Sequence, residues 1–153
     1  VDFICSLPEY NGKALGVTGS SQGGALSFST AALDNRVTCL AAIHPAMCDH
    51  EAFVYSQAGG WPHYFYNQSS PDKARLKVSR YYDSVNFARR IQVPGWYSWG
   101  WNDEVCPPTS MHAAYNSLNA PKEFHPYLET GHFWYQEQYD AWNNWLWKQL
   151  GLE

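Results

Sequence analysis

The sequence has no long apolar run and no excess of positive charge. No stretch approaches the ~18 apolar residues that a membrane-spanning helix requires. Its 153 residues include 10 Lys and Arg against 14 Asp and Glu, which gives a formal net charge of −4. Because phosphate binding requires clustered Lys and Arg, this balance excludes a basic nucleic-acid-binding surface and a polybasic membrane anchor. We therefore expect neither nucleic acid nor a membrane as a partner.

The sequence also lacks the usual motifs for metals and phosphates. None of its four cysteines forms a C-x-x-C pair, which excludes zinc-knuckle and thioredoxin-type sites. No Lys-Ser/Thr follows the Gly-Gly pair at 23–24, so a P-loop is missing. Four possible metal ligands are close in sequence, but their spacing fits no structural zinc pattern: His44, Cys48, Asp49 and His50. We therefore predict no metal and no organic cofactor.

What the sequence does contain is an alternation of short apolar runs with helical segments. The apolar runs predict four strands, at 14–18, 37–43, 93–101 and 123–128. Helical patterns lie between and after them, at 21–33, from 67–72 to about 91, at 107–118 with Thr109 as a cap, and from 135 to 150. This order is typical of parallel βαβ units and predicts an α/β fold. Four strands are few for an α/β fold of this kind, so we expect only part of a larger sheet.

The segment Gly19-Ser20-Ser21-Gln22-Gly23 matches the pattern G-x-S-x-G between a predicted strand and a predicted helix. This is the setting of a nucleophile elbow, where small flanking residues permit a sharp turn that exposes the serine hydroxyl. Ser21 is therefore the predicted nucleophile, and the backbone N–H of Gln22 supplies half of an oxyanion hole. In the alternative interpretation, Ser20 or Ser21 only caps the helix.

A nucleophilic serine needs a base and an acid, which in this fold class follow it in the order Asp or Glu, then His. His132 lies just beyond the last predicted strand, where such architectures collect their sites, and is the predicted base. Asp103 follows the strand before it and is the predicted acid, with Glu104 as its rival. A carboxylate at a helix start is the structural alternative for Asp103.

Four groups of residues together form a wider pattern: Gly19-Ser20-Ser21-Gln22-Gly23-Gly24; Ala32-Leu33-Asp34 with Arg36-Val37; Tyr82-Asp83 with Asn86-Phe87-Ala88; and Asn102-Asp103 with Val105-Cys106-Pro107-Pro108. In these groups the chain resembles the acetyl xylan esterase/cephalosporin C deacetylase family, carbohydrate esterases of the α/β-hydrolase superfamily. The resemblance implies an α/β-hydrolase fold of which residues 1–153 form a partial domain, the C-terminal half without the N-terminal strands.

The family roles transfer onto matching positions. Ser21 matches the nucleophile, Asp103 the acid, His132 the base and Gln22 the donor that follows the nucleophile. The resemblance also implies a second oxyanion donor and an Arg-x-Gln segment, which have no counterpart here and would precede Val1. Phe133 stands where the family commonly carries Glu, which bears on the subfamily and the substrate.

The predicted function is a serine carboxylesterase that deacetylates acetylated xylan, xylo-oligosaccharide or similar small acetyl esters. One alternative is another α/β-hydrolase activity, such as a serine peptidase. Another is a non-catalytic carbohydrate-binding or interaction domain, since aromatic residues are 17% of the chain. We also expect a homo-oligomer in the full-length protein, whereas the sequence leaves its compartment open.

The aromatic residues give further expectations. The loop 60–66 forms either a wall of the substrate pocket or a packing surface. Trp96, Trp99 and Trp101 are expected in the core on one face of a strand. Trp142 is expected on the apolar stripe of the last helix, and Trp145 and Trp147, which lie off it, are candidates for an oligomer contact.

Overall fold

Four parallel strands form one sheet in a computed structural model of the chain, which describes residues 1–68 and 70–152. The strands are β1 (Gly16–Ser20), β2 (Cys39–Ile43), β3 (Gly95–Gly100) and β4 (Lys122–Tyr127), and they are adjacent in that order. Because all four are parallel, their carboxyl ends meet at one edge of the sheet. The predicted α/β fold is confirmed, with each strand within about two residues of its predicted start.

Six α-helices and a 3₁₀ helix accompany the described part of the sheet. They are α1 (Asp2–Ser6), α2 (Gln22–Leu33), the 3₁₀ helix (Ala52–Tyr55), α3 (Lys73–Ser79), α4 (Ser84–Ala88), α5 (Pro108–Ser117) and α6 (Gln136–Leu150). Among the described residues, none of these helices combines the length and apolar character needed to cross a membrane.

The helices cover both faces of the sheet, because side chains along each strand alternate between the two. On one face Leu40 and Ala42 pack with Phe28 of α2 and Met111 of α5. On the other face Ala41, Ile43 and Trp96 pack with Leu146 of α6. Strand β2 is buried along its whole length, as its continuous apolar sequence predicts.

Two local predictions for helices were wrong. The helix expected from 67–72 to 91 is two short helices: α3 ends at Ser79, and α4 begins after Asp83, which caps it by accepting a hydrogen bond from the Val85 N–H. Residue 69 of that prediction lies outside the described residues. Thr109 does not cap α5; Pro107 holds the N-cap position, and the Thr109 hydroxyl donates to the Ala58 carbonyl.

Two predictions for tryptophans were also wrong. Trp96 and Trp99 pack on opposite faces of β3, because an odd separation along a strand reverses the side chain, and Trp101 is exposed beyond the strand. Trp145 packs on the face covered by α6 and donates to Glu123 over 2.8 Å, so its ring belongs to the packing within the chain. Trp147, by contrast, is exposed.

Candidate active site

The turn from β1 into α2 has the geometry of a nucleophile elbow. Ser21 has φ 54° and ψ −121°, a backbone conformation that residues other than glycine rarely adopt. A β-carbon on Gly19 would overlap the backbone of Gly23, so the bend requires glycine there. The Ser21 N–H donates to the Ile43 carbonyl over 2.9 Å and the Ala46 N–H donates to the Ser21 carbonyl over 3.0 Å. The backbone therefore fixes where the Ser21 hydroxyl points.

Asp103 lies on the loop after β3 and has a fully buried side chain. One carboxylate oxygen, Oδ1, accepts hydrogen bonds from the backbone N–H groups of Val105 and Cys106, over 2.9 Å and 2.8 Å. These two bonds orient the other oxygen, Oδ2, towards the loop after β4. The rival residue Glu104 is exposed, whereas Asp103 is the carboxylate that is buried at this edge of the sheet.

His132 lies on the loop after β4, and close backbone contacts hold that loop against the end of β3. The Asn102 N–H donates to the Thr130 carbonyl over 3.1 Å. Thr130 is buried and lies so close to Gly100 that a β-carbon there would overlap it. The loops that carry Asp103 and His132 are thus joined directly.

The imidazole of His132 bridges the other two predicted residues. Its Nδ1 lies 2.8 Å from Oδ2 of Asp103, and its Nε2 lies 2.9 Å from Oγ of Ser21. An ionised carboxylate only accepts hydrogen bonds, so Nδ1 carries the proton and Nε2 of the neutral ring accepts from the serine hydroxyl. The structure therefore brings together Ser21, Asp103 and His132, which are up to 111 residues apart in sequence.

The surroundings of Asp103 keep its carboxylate ionised. Burial by itself raises the pKa of Asp103, but hydrogen bonds from His132, the proximity of His44 and the Cys106 N–H outweigh it and hold the pKa below its ordinary value. Because Asp103 stays ionised, it can hold a proton on Nδ1 of His132, and Nε2 of the same ring is then free to accept one.

Gln22 is the first residue of α2, so its backbone N–H has no acceptor within the helix and stays available at the helix N-terminus. This end of the helix also carries a partial positive charge from the aligned peptide dipoles. An oxyanion that forms beside Ser21 would lie next to both.

Sequence reasoning missed His44, which directly follows β2 and is completely buried. Its Nδ1 lies 3.4 Å from Oδ2 of Asp103, and its ring lies 5.3 Å from that of His132, measured between centroids. In sequence, His44 is close to the other possible metal ligands Cys48, Asp49 and His50. In the described part of the chain it groups with Asp103 and His132 instead. One ligand atom from each of these three lies within 4.8 Å of the others, so they are the residues that could hold a metal ion. Such an ion would compete with the bond between His132 and Asp103.

Half-exposed aromatic side chains lie close to His132 in sequence. Phe133, Trp134 and Tyr135 follow it directly, and Trp134 stacks on His44 with ring centroids 6.3 Å apart. In the predicted aromatic loop, Trp61 lies next to the loop that carries Asp103, because its backbone N–H donates to the carbonyl of Val105. Phe65 of that loop is buried instead and lines a cavity of about 470 Å³ whose walls include none of the site residues.

A parallel sheet with a strained serine turn after one strand and an acid and a histidine after two others defines the α/β-hydrolase class. Within that class, a family profile described as acetyl xylan esterase (AXE1) matches residues 1–149. The chain belongs to this family.

Relatives of known name agree with that assignment. The chain is 48% identical over 125 residues to the acetyl esterase Axe7A of Xylanibacter ruminicola, an alignment that covers 80% of this chain and 28% of that protein. Among solved structures, it resembles an acetyl xylan esterase from Paenibacillus sp. R4 with a TM-score of 0.83 and 30% identity. It also resembles acetyl xylan esterase 1 from Thermoanaerobacterium sp. JW/SL YS485, with a TM-score of 0.82 and 28% identity. A puromycin hydrolase at 19% identity and a TM-score of 0.75 shares the fold.

The chain spans about half the length of the solved acetyl xylan esterases that it matches. Each match covers 97% of this chain and 49% of the relative.

Proposed function

We propose that this chain carries the catalytic residues of a serine esterase that removes acetyl groups from carbohydrate. The observation that supports the proposal is the imidazole of His132, placed 2.9 Å from the Ser21 hydroxyl and 2.8 Å from the Asp103 carboxylate. This arrangement matches the requirements for a base-activated nucleophile. Membership of the acetyl xylan esterase family favours an ester as the substrate.

In the first half of the proposed reaction, Oγ of Ser21 attacks the carbonyl carbon of the acetyl group. Nε2 of His132 takes the hydroxyl proton, and the ionised Asp103 stabilises the imidazolium that forms. The negative oxygen of the tetrahedral intermediate accepts a hydrogen bond from the Gln22 N–H at the positive end of α2. His132 then returns the proton to the departing alcohol, which leaves an acetyl group on Ser21.

In the second half, water replaces the alcohol. Nε2 of His132 removes a proton from this water, which attacks the acetyl group on Ser21. Collapse of the second tetrahedral intermediate returns the proton from His132 to Oγ and releases acetic acid, which loses its proton to solvent and becomes acetate. No metal or organic cofactor takes part in these steps.

The aromatic side chains next to His132 support a sugar as the alcohol. Sugar rings present flat apolar faces that stack on aromatic rings, and Trp134 is 44% exposed two residues after His132. Because an acetyl group is small, the acyl side needs little room and recognition falls on the alcohol side. We therefore propose acetylated xylan or xylo-oligosaccharide as the substrate class.

The proposal is tested with the protein that carries this chain, beside a Ser21→Ala variant. Hydrolysis of p-nitrophenyl acetate reports the chemistry, and acetate release from acetylated xylan reports the substrate. We expect both activities in the wild type and a loss of roughly 10³-fold or more in the variant, which keeps only the residual catalysis of the site. Esters from acetyl to octanoyl define the acyl preference.

Three results would contradict parts of this proposal. A folded wild-type protein that is inert towards every ester contradicts catalysis, and glycan binding that persists in Ser21→Ala would then favour a binding domain. A preference for long acyl chains or peptides over acetyl esters contradicts deacetylation. Full activity in Ser21→Ala contradicts the nucleophile.

We also propose that the protein self-associates, with the exposed Trp147 of α6 as a candidate contact. Sedimentation velocity measures this directly. A single monomeric species over a hundredfold range of protein concentration contradicts it.

A further inference from the structure

His44 is a buried histidine without a hydrogen-bond partner at either ring nitrogen among the described residues. Burying a polar group without a partner destabilises a fold, so such a group needs an explanation. Its backbone is also unusual, with φ 46° in the left-handed region. At the carboxyl end of β2 the fold therefore holds His44 with an unpaired buried side chain and an unfavourable backbone conformation.

The environment of His44 contains one unfilled acceptor position. A carboxylate offers about four lone-pair sites. At Asp103, Val105 and Cys106 fill two on Oδ1, and His132 fills one on Oδ2. The fourth lies on Oδ2, the oxygen that is 3.4 Å from Nδ1 of His44.

Only one protonation state of His44 suits that position. The ring of His132, whose centroid lies 5.3 Å from that of His44, becomes positively charged in the proposed reaction. A neutral ring with its proton on Nδ1 avoids two adjacent positive charges. It also turns an N–H towards Oδ2.

We propose that His44 is a positioning residue that donates from Nδ1 to Oδ2 of Asp103 and fixes the carboxylate for His132. The gap of 3.4 Å is a few tenths of an ångström longer than an ordinary N–H···O bond, and bonds in unliganded sites commonly tighten when substrate binds. Trp134 supports the arrangement by stacking on the His44 ring. The inference rests on the proposed esterase function.

The test compares two substitutions of similar size, His44→Asn and His44→Leu. The Asn side-chain amide places an N–H where Nδ1 stands and tolerates a positive φ, whereas Leu has no donor. His50→Asn is the control, because His50 is equally buried, has an unpartnered Nε2 and lies outside the site. A serine-directed reagent counts the competent sites, so that misfolded protein does not lower the measured kcat.

We expect kcat per competent site to fall about 10-fold in His44→Leu with KM unchanged, a loss of about 1.4 kcal/mol in transition-state stabilisation. His44→Asn should recover most of that loss, and His50→Asn should keep the wild-type kcat. In the proton NMR spectrum, the low-field signal of the His132 Nδ1 proton should move downfield in His44→Leu, because Oδ2 has lost a competing donor, and return in His44→Asn.

The proposal is overturned if His44→Leu keeps the wild-type kcat, if His44→Asn is no better than His44→Leu, or if the Nδ1 signal does not move. These results are distinct from failure of the proposed function, which would appear as a wild-type protein without serine-dependent esterase activity. A His44→Leu variant too unstable to assay leaves the test to His44→Asn and His44→Ala, for which a donor-dependent difference in kcat and in the Nδ1 signal is still required.

Discussion

The carbonyl oxygen of Thr130 occupies the space that a β-carbon on Gly100 would need. This contact joins the end of β3 to the loop after β4, and therefore sets the distance between Asp103 and His132. The spacing of the acid and the base depends on a glycine that takes no part in the proposed chemistry.

We predict that Gly100→Ala destabilises the protein by about 1–3 kcal/mol, the usual cost of overpacking, and separates His132 from Asp103. Activity per folded molecule should fall together with stability. Urea unfolding and titration of the reactive serine measure the two effects. Gly23→Ala is the matched control, because a β-carbon on Gly23 meets no atom within 4 Å. Equal stability of the two variants would show that the contact is not tight.

The ionisation of Asp103 should make stability depend on pH. Because the pKa of Asp103 lies below its ordinary value, the carboxylate stabilises the fold above the unfolded-state pKa of about 3.9, and this is lost as the pH falls through the folded-state pKa. Asp103→Asn cannot titrate, so its deficit in unfolding free energy should be constant above about pH 5 and shrink in acid. Urea unfolding between pH 3 and pH 7 measures it, with the exposed Glu104→Gln as control. A deficit that grows in acid would contradict the prediction.

Trp134 should matter more for sugar esters than for small ones. We expect Trp134→Ala to lower kcat/KM on acetylated xylo-oligosaccharide about 2- to 12-fold more than on ethyl acetate, which corresponds to ~0.5–1.5 kcal/mol for a lost stacking contact. Steady-state kinetics on the two substrates gives the ratio. Tyr81→Ala removes an exposed ring far from the site in sequence and should leave the ratio unchanged. An equal loss on both esters would assign Trp134 to the support of His44 alone.

Three of the four cysteines should resist alkylation in the native protein. All four are free thiols, and Cys39, Cys48 and Cys106 are buried, whereas Cys5 is partly exposed. Burial raises the pKa of all three buried thiols, that of Cys106 to about 12, so the reactive thiolate is scarce. Iodoacetamide labelling followed by peptide mapping should find Cys5 modified first by a factor of 10 or more. Labelling of Cys106 as fast as Cys5 would contradict the buried environment.

The positions of Ser21, Asp103 and His132 could be predicted from sequence because each follows an apolar run. Such runs form buried parallel strands, and parallel strands present their carboxyl ends at a single edge. The loops after the strands therefore lie along that one edge, although the order in which the strands pair decides which of their polar residues meet. The elbow added a second constraint, since the glycines around Ser21 indicate a turn that few other structures require.

The proximity of His44 to Asp103 could not be predicted, because it depends on how β2 and β3 pair. His44 also follows a strand, yet its sequence neighbours Cys48 and His50 suggested a local cluster instead. The errors at Trp101 and Trp145 have a related cause: periodicity assigns a face to a side chain, but strand ends and neighbouring elements decide whether that face is covered. Trp145 lies beside the predicted stripe of α6 and is still partly covered by the sheet.

The backbone conformation of Ser21 fixes its position, whereas the aromatic residues that follow His132 have side chains that are about half exposed to solvent. Mutations therefore have unequal consequences. A β-carbon at Gly19 or Gly100 would overlap the backbone and move Ser21 or His132, whereas an exchange at Phe133 would change a side chain beside them without moving the backbone. The backbone that positions Ser21 and His132 and the exposed side chains beside them are therefore separate parts of the chain, and the second can change while the first stays as it is.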